Sequence, residues 1–232
     1  MQARAPQLVP QGSKDLFDSA MFGQAKDLID ADVMAIHLNF LQEVVQPEGD
    51  TNGAGVRDAI RSLAREYPVM VKETGAGISR DVADRLKGIG ILGIDVAGMG
   101  GTSFSAVELY RAMKVGDDIR TNMGETFFDW GIPTPVSVVE TVGCGLPIIA
   151  SGGVLDGTHV AAAISLGATC GGVAHAVLKE ATESAEAVKQ KLTIIREELR
   201  VAMLLTGCRD LKALSKARHV VLGETRQWID AL

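Results

Sequence analysis

Residues 147–175 read PIIASGGVLDGTHVAAAISLGATCGGVAH, and this stretch decides the fold. An apolar β-rich run, Pro147 to Ala150, leads into Ser151-Gly152-Gly153-Val154, and a helix-like segment follows from Gly157 to Leu166. Cys170 to Val173 then starts the pattern again, ending in Gly171-Gly172-Val173-Ala174-His175. A strand, a glycine turn, a helix and a second strand imply a parallel pair, because parallel strands need a crossover between them. Glycines after a strand let an anion approach the backbone, and the N-terminus of the next helix offers N–H donors and positive potential. One Gly-Gly pair is as well explained by a tight turn. Two pairs, one unit apart, match the phosphate site that forms after the last two strands of a (β/α)8 barrel.

Upstream, the same alternation recurs. Strands are expected at Val33 to Leu38, Val69 to Lys72 and Leu92 to Val96, with a weaker one near Gln7 to Val9. Helices are expected at Lys14 to Ile29, Gly55 to Glu66, Ser79 to Ile89, Ser137 to Gly143 and, near the end, Ser184 to Met203. Polar residues collect at the C-terminal ends of the strands (His37 and Asn39, Lys72 and Glu73, Asp95, Ser151), where parallel α/β folds build their sites. The fold class is therefore α/β, a TIM-type (β/α)8 barrel in one domain covering 1–232. At roughly 30 residues per unit the chain is too short for eight. The count predicts an incomplete barrel without its first two or three βα units, with strand edges left open.

Composition narrows the class of function. A net charge of −6 lacks the concentrated basic face of a nucleic-acid protein. No apolar run reaches the roughly 20 residues that span a bilayer, and MQARAPQLVPQG carries no signal-peptide core. Three cysteines without CxxC spacing do not suggest a disulfide framework or zinc, which fits a cytoplasmic protein.

Four segments carry candidate chemistry. In HLNFLQE, His37 and Asn39 are two apart and face one side of a strand, with Gln42 and Glu43 at its mouth. A carboxylate such as Glu43 beside phosphates suits Mg²⁺, which takes one or two carboxylates plus phosphate oxygens. Lys72 closes the VMVKE strand and needs an anion, either a carboxylate (Glu73 or Asp95) or the negative edge of a reduced flavin. The segment IDVAGMGGTSF can bring glycines and the hydroxyls of Thr102 and Ser103 against a planar ring, or can serve as a lid. FFDWGIPT gathers aromatics that either shield a hydrocarbon or pack the next helix. Glu108 and Glu140 read as solvated or paired acids.

The segments HLNFLQEVVQPEGDTN, VMVKETGAGIS, IDVAGMGGTSF, FFDWGIPTP, ASGGVLDG and GATCGGVAHAVL, in this order, resemble type 2 (FMN-dependent) isopentenyl diphosphate isomerases. The resemblance runs from about Pro6 to the GETRQWI end. It implies interconversion of isopentenyl and dimethylallyl diphosphates by a homo-oligomer using reduced FMN, NAD(P)H as the flavin's reductant, and Mg²⁺. By position it implies that Gln42 contacts substrate near the reacting carbons, with His37 and Asn39 lining the pocket and Glu43 holding Mg²⁺. Lys72 and Thr102 would contact the flavin ring. Gly152, Gly153, Val154, Leu155, Ala174 and His175 would hold its phosphate.

The sequence departs from that pattern at Leu155, where many relatives carry arginine, at Phe104 (often tryptophan) and at Phe40 (usually proline). The family's upstream Arg-Lys pair and Thr-Gly-Gly flavin loop have no counterpart, in line with the short count of units. Two other readings stay open: an inactive remnant, and an FMN barrel that oxidises 2-hydroxy acids. The second needs a histidine base near Lys72, and the sequence offers no convincing candidate there.

Overall fold

The computed structural model describes residues 2–12 and 14–232. Six parallel strands form one sheet in sequence order: β1 (Gln2–Arg4), β2 (Met34–His37), β3 (Val69–Lys72), β4 (Ile94–Asp95), β5 (Ile148–Ala150) and β6 (Cys170–Gly171). The order never reverses. That is the winding of a (β/α) barrel rather than of a doubly wound sheet, where strand order switches direction. Among the described residues β1 and β6 each have one neighbour, so six strands are present where a closed barrel has eight.

Helices fill the connections. Between β1 and β2 lies α1 (Ser19–Leu28); α2 (Phe40–Val45) and α3 (Val56–Glu66) follow β2. After β3 comes α4 (Arg80–Leu86); α5 (Phe104–Val115), α6 (Asp118–Thr126) and α7 (Thr134–Thr141) separate β4 from β5. Beyond β5 is α8 (Gly157–Ser165), and beyond β6 come α9 (Leu178–Glu183), α10 (Ala185–Leu205), α11 (Leu211–Leu214) and α12 (Gly223–Asp230). In α3 the buried residues Val56, Ile60 and Leu63 recur at the four- and three-residue steps of one helical face. Side-chain caps start α4 and α5: Val82 N donates to Ser79 Oγ (3.4 Å) and Ala106 N to Ser103 Oγ (3.2 Å).

Burial follows from the layering. Met34, Ile36, Val69, Val71, Ile94 and Ile148 are at most 1% exposed and form the centre of the main core. No helix among the described residues is long and apolar enough to cross a membrane.

Two expectations need correction. The weak strand placed near Gln7 to Val9 is a 3-10 turn, Ala5–Leu8, and the pairing strand is Gln2–Arg4. Pro6 has no N–H for a sheet ladder, which forces the chain to turn there. The helix expected from Lys14 to Ile29 starts only at Ser19, where Asp18 caps it, and ends at Leu28.

Candidate functional site

Register places the first site residues in a row. Arg4 pairs with His37, His37 with Lys72, and Lys72 with Asp95, across the C-terminal ends of β1 to β4. Paired residues on parallel strands share a face, so three basic side chains and one acid stand side by side. Ser151 Oγ donates to Asp95 Oδ1 at 2.5 Å and extends the row to the end of β5. His37 is 7% exposed and its Nδ1 has no hydrogen-bond partner. Burial first, then the charges of Lys72 and Arg4, push its pKa down to about 4. Its imidazole is therefore neutral near pH 7.

Asn39 and Gln42 are locked by the start of α2. Gln42 N donates to Asn39 Oδ1 (3.0 Å), and Asn39 Nδ2 donates to Thr74 Oγ1. Gln42 Nε2 donates to Glu108 Oε1 at 3.2 Å. Glu108, on α5, is buried and receives Arg111 Nη1 at 2.6 Å, while Arg111 Nη2 reaches Glu48 at 2.8 Å. Glu108 is thus a paired acid but not a solvated one, and the sequence offered no sign that it meets Gln42. Only folding sets α5 against α2. Glu140 is also buried, accepting from Arg80 N at 2.7 Å.

Glu43 is 1% exposed and hydrogen-bonded through both oxygens. Arg4 Nη1 donates to both of its oxygens (3.0 and 3.2 Å), Gln46 Nε2 to Oε2 (2.8 Å), and Asp50 N to Oε2 (2.9 Å). Three of these contacts fall on Oε2, and the single donor on Oε1 is itself a cation, Arg4. The neighbouring acids are also taken, Asp50 by Lys14 and Glu48 by Arg111. As arranged, these residues do not fit a divalent cation, and no group of three or more His, Cys, Asp or Glu among the described residues is placed to hold one.

Beside this cluster lies a cleft of about 770 Å³. Lys72 and Thr74 line one side, the Gly98–Phe104 segment another, and Ser151 to Leu155 with Gly172 to His175 the third. The cleft brings together every residue expected to hold the flavin: Lys72, Thr102, Gly152, Gly153, Val154, Leu155, Ala174 and His175. Lys72 Nζ donates to the Glu73 carbonyl and makes no ion pair with Glu73 or Asp95 among the described residues, so its charge remains available to a ligand. The Glu73 carboxyl accepts from Thr74 N (2.7 Å) and Ala76 N (2.9 Å), and its burial raises its pKa.

The glycines have a packing reason as well. A Cβ on Gly152 would lie 2.1 Å from Gly98 O, and one on Gly153 2.1 Å from Gly100 O. The loops after β4 and β5 meet back to back, and both glycines adopt positive φ (98° and 78°). Among the described residues the N–H groups of Gly153, Val154, Val173 and Ala174 donate to no protein acceptor. They are unspent donors facing one cleft, which fits a phosphate.

The N-terminus of α8, by contrast, is filled by the protein's own anions. Gly157 N donates to Glu198 Oε2 (2.9 Å), and Thr158 N and His159 N both donate to Asp156 Oδ1 (2.9 Å each). The expectation that this helix end offers free donors to a phosphate is corrected accordingly: the donors without a protein acceptor lie in the loops.

The aromatic segment neither lines the cleft nor packs a helix closely, for Phe128 is 37% and Trp130 66% exposed. Phe127 and Trp130 stack edge to face at 5.6 Å, and Ile132 N donates to Ala76 O (2.9 Å), tying the segment to the loop after β3.

Comparison with known proteins adds three findings. The family description FMN-dependent dehydrogenase matches residues 58–221. An isopentenyl-diphosphate delta-isomerase of Thermoplasma volcanium is 46% identical over 97% of this chain, and its counterpart from Picrophilus torridus 44% identical over 97%. The chain spans 65% and 64% of those relatives' own lengths. Among solved structures, a mandelate oxidase mutant with benzaldehyde superposes with a TM-score of 0.60 at 20% identity, covering 86% of this chain and 58% of that one. At that identity the likeness shows a shared fold.

Proposed function

This chain belongs to the FMN-dependent dehydrogenase family, and from that premise we propose that it performs, within that fold, the isomerisation of isopentenyl diphosphate to dimethylallyl diphosphate. Two features support the reading: identity of 44–46% to proteins bearing the isomerase name, and the state of His37. Oxidation of a 2-hydroxy acid needs a base whose pKa lies near the working pH. The structure does put a histidine beside Lys72, contrary to the expectation that none was available. Yet its pKa of about 4, with a cation on either side, makes it a poor proton acceptor. The single observation that carries the proposal is this neutral imidazole next to a flavin-sized cleft.

The residues divide the work as follows. Val154, Gly153, Val173 and Ala174 offer backbone N–H groups to the cofactor phosphate, with Gly152, Leu155 and His175 lining the same loops. Lys72 sets a positive charge against the ring edge, and Thr102 offers a hydroxyl beside it. When bound, the reduced flavin supplies an electron-rich ring able to exchange a proton with the alkene. Gln42, its amide oriented by Glu108 and Asn39, holds the reacting carbons in place. His37 and Asn39 wall the pocket, His37 as a neutral polar group. Phe104 adds an apolar surface for the five-carbon chain. NAD(P)H is the proposed source of electrons. No step is assigned to Mg²⁺, because the Arg4 guanidinium already stands on both Glu43 oxygens. A cytoplasmic homo-oligomer built on one barrel domain, 1–232, fits the composition and the apolar side chains that α10 exposes.

The test is anaerobic incubation of the full chain with reduced FMN and isopentenyl diphosphate, following dimethylallyl diphosphate by proton NMR. Product formation that requires FMN and falls at least about 100-fold in Gln42→Ala is the expected result. Flavin reduction by a 2-hydroxy acid, without isomerisation, would overturn the assignment.

A further inference from the structure

The interaction between Arg4 and Glu43 joins a nearly fully buried carboxylate to a guanidinium that is only partly covered, with side-chain exposures of 1% and 36%. Arg4 uses a single nitrogen, Nη1, to reach both oxygens of Glu43. Among the described residues its Nε and Nη2 donate to no protein acceptor. Glu43 thus anchors one corner of the guanidinium, and the remaining donors stay available at the mouth of the strands. Arg4 is in register with His37 and, through it, with Lys72, which lines the cleft. The loop carrying Glu43's other donors is held firmly: Lys14 pairs with Asp50, and Gln11 Nε2 and Oε1 bond Asn52 O (2.8 Å) and Asn52 N (3.0 Å).

We propose that Arg4 takes the place of a divalent cation at this site and binds the diphosphate end of the substrate directly. Glu43 needs a positive partner because it is buried, and Arg4 meets that need with a charge that belongs to the chain. A guanidinium is suited to the second task, since its planar fork matches two phosphate oxygens and its charge does not depend on pH. A hexacoordinate Mg²⁺ would have to displace Arg4, the one donor on Oε1, and would gain only a single protein oxygen in return. The inference rests on the isomerase reading for its ligand, a diphosphate.

The probe is inorganic pyrophosphate, titrated calorimetrically into the full chain, once with excess EDTA and once with Mg²⁺. The expected result is a dissociation constant equal within about twofold in the two conditions. The double variant Arg4→Gln, Glu43→Gln keeps a neutral hydrogen-bonding pair in place of the ion pair, so the buried carboxylate is not stranded. It should bind pyrophosphate at least about tenfold more weakly in both conditions. Binding that requires Mg²⁺ in the unmodified chain would overturn the role of Arg4 and leave the isomerase reading standing. Retained binding in the double variant would overturn it equally. No binding in either condition would remove both the inference and the diphosphate substrate on which it rests.

Discussion

His37 sits between Arg4 and Lys72 on neighbouring strands, and burial and charge act on it in the same direction. Its folded pKa, about 4, lies below the ordinary value of 6.5. As pH falls through that window the unfolded chain takes up the proton first. Stability present above pH 6.5 is therefore lost progressively as pH drops toward 4. The loss from this one group is at most about 3 kcal/mol. Urea unfolding at about pH 7.5 and about pH 4.5, in the native chain and in His37→Asn, isolates it. The native chain should show the larger acid loss by about 1–3 kcal/mol, and identical losses would contradict the buried, cation-flanked placement. The same residue shows what sequence reading reaches. His37 was legible at the C-terminal end of its strand, but Asn39, read as its neighbour on the same strand face, lies past β2 and caps α2. The neighbours that decide the protonation state of His37 were not legible, since Arg4 comes from a strand placed a few residues too far along.

Secondary-structure elements were legible where their apolar residues repeat cleanly. In α3 the buried face is regular and the surface is charged, so its bounds were read to within a residue. In α5 and α6 they were not, because α5 leaves Val107, Tyr110, Met113 and Val115 exposed and the periodic signal is blurred. The phosphate loop presents a different problem. Its glycines were read as room for a phosphate against the backbone, whereas their packing role is to let the loops after β4 and β5 meet, and α8 was expected to supply the donors. Asp156 and Glu198 occupy that helix end instead, and Glu198 comes from α10, far along the chain. Asp156→Ala should cost about 1 kcal/mol of stability by removing the cap, measured by urea denaturation. It should leave FMN affinity unchanged or stronger, because the phosphate donors belong to the loops and a nearby negative charge has gone. A tenfold weaker FMN affinity in this variant would return the phosphate to the helix.

Across the whole molecule, the sequential parallel order of six strands was readable from strand–helix alternation, and so was the gathering of polar residues at one end of the sheet. Parallel winding explains both: each crossover returns the chain to the same end, so strand termini widely separated in sequence form one mouth. The contacts that finish the site were beyond reach of pattern, among them Glu108 on Gln42 and the pairing of Glu43 with Arg4. They depend on which surfaces meet after folding. The central claim is that the mouth forms a flavin site whose phosphate is held by backbone donors of the two Gly-Gly loops. Titration of the purified chain with FMN and, separately, with riboflavin, followed by the visible difference spectrum, tests it most directly. One FMN per chain, bound at least about tenfold more tightly than riboflavin, is the expected result. Equal affinity for the two flavins, or no spectral change with FMN, would contradict the account.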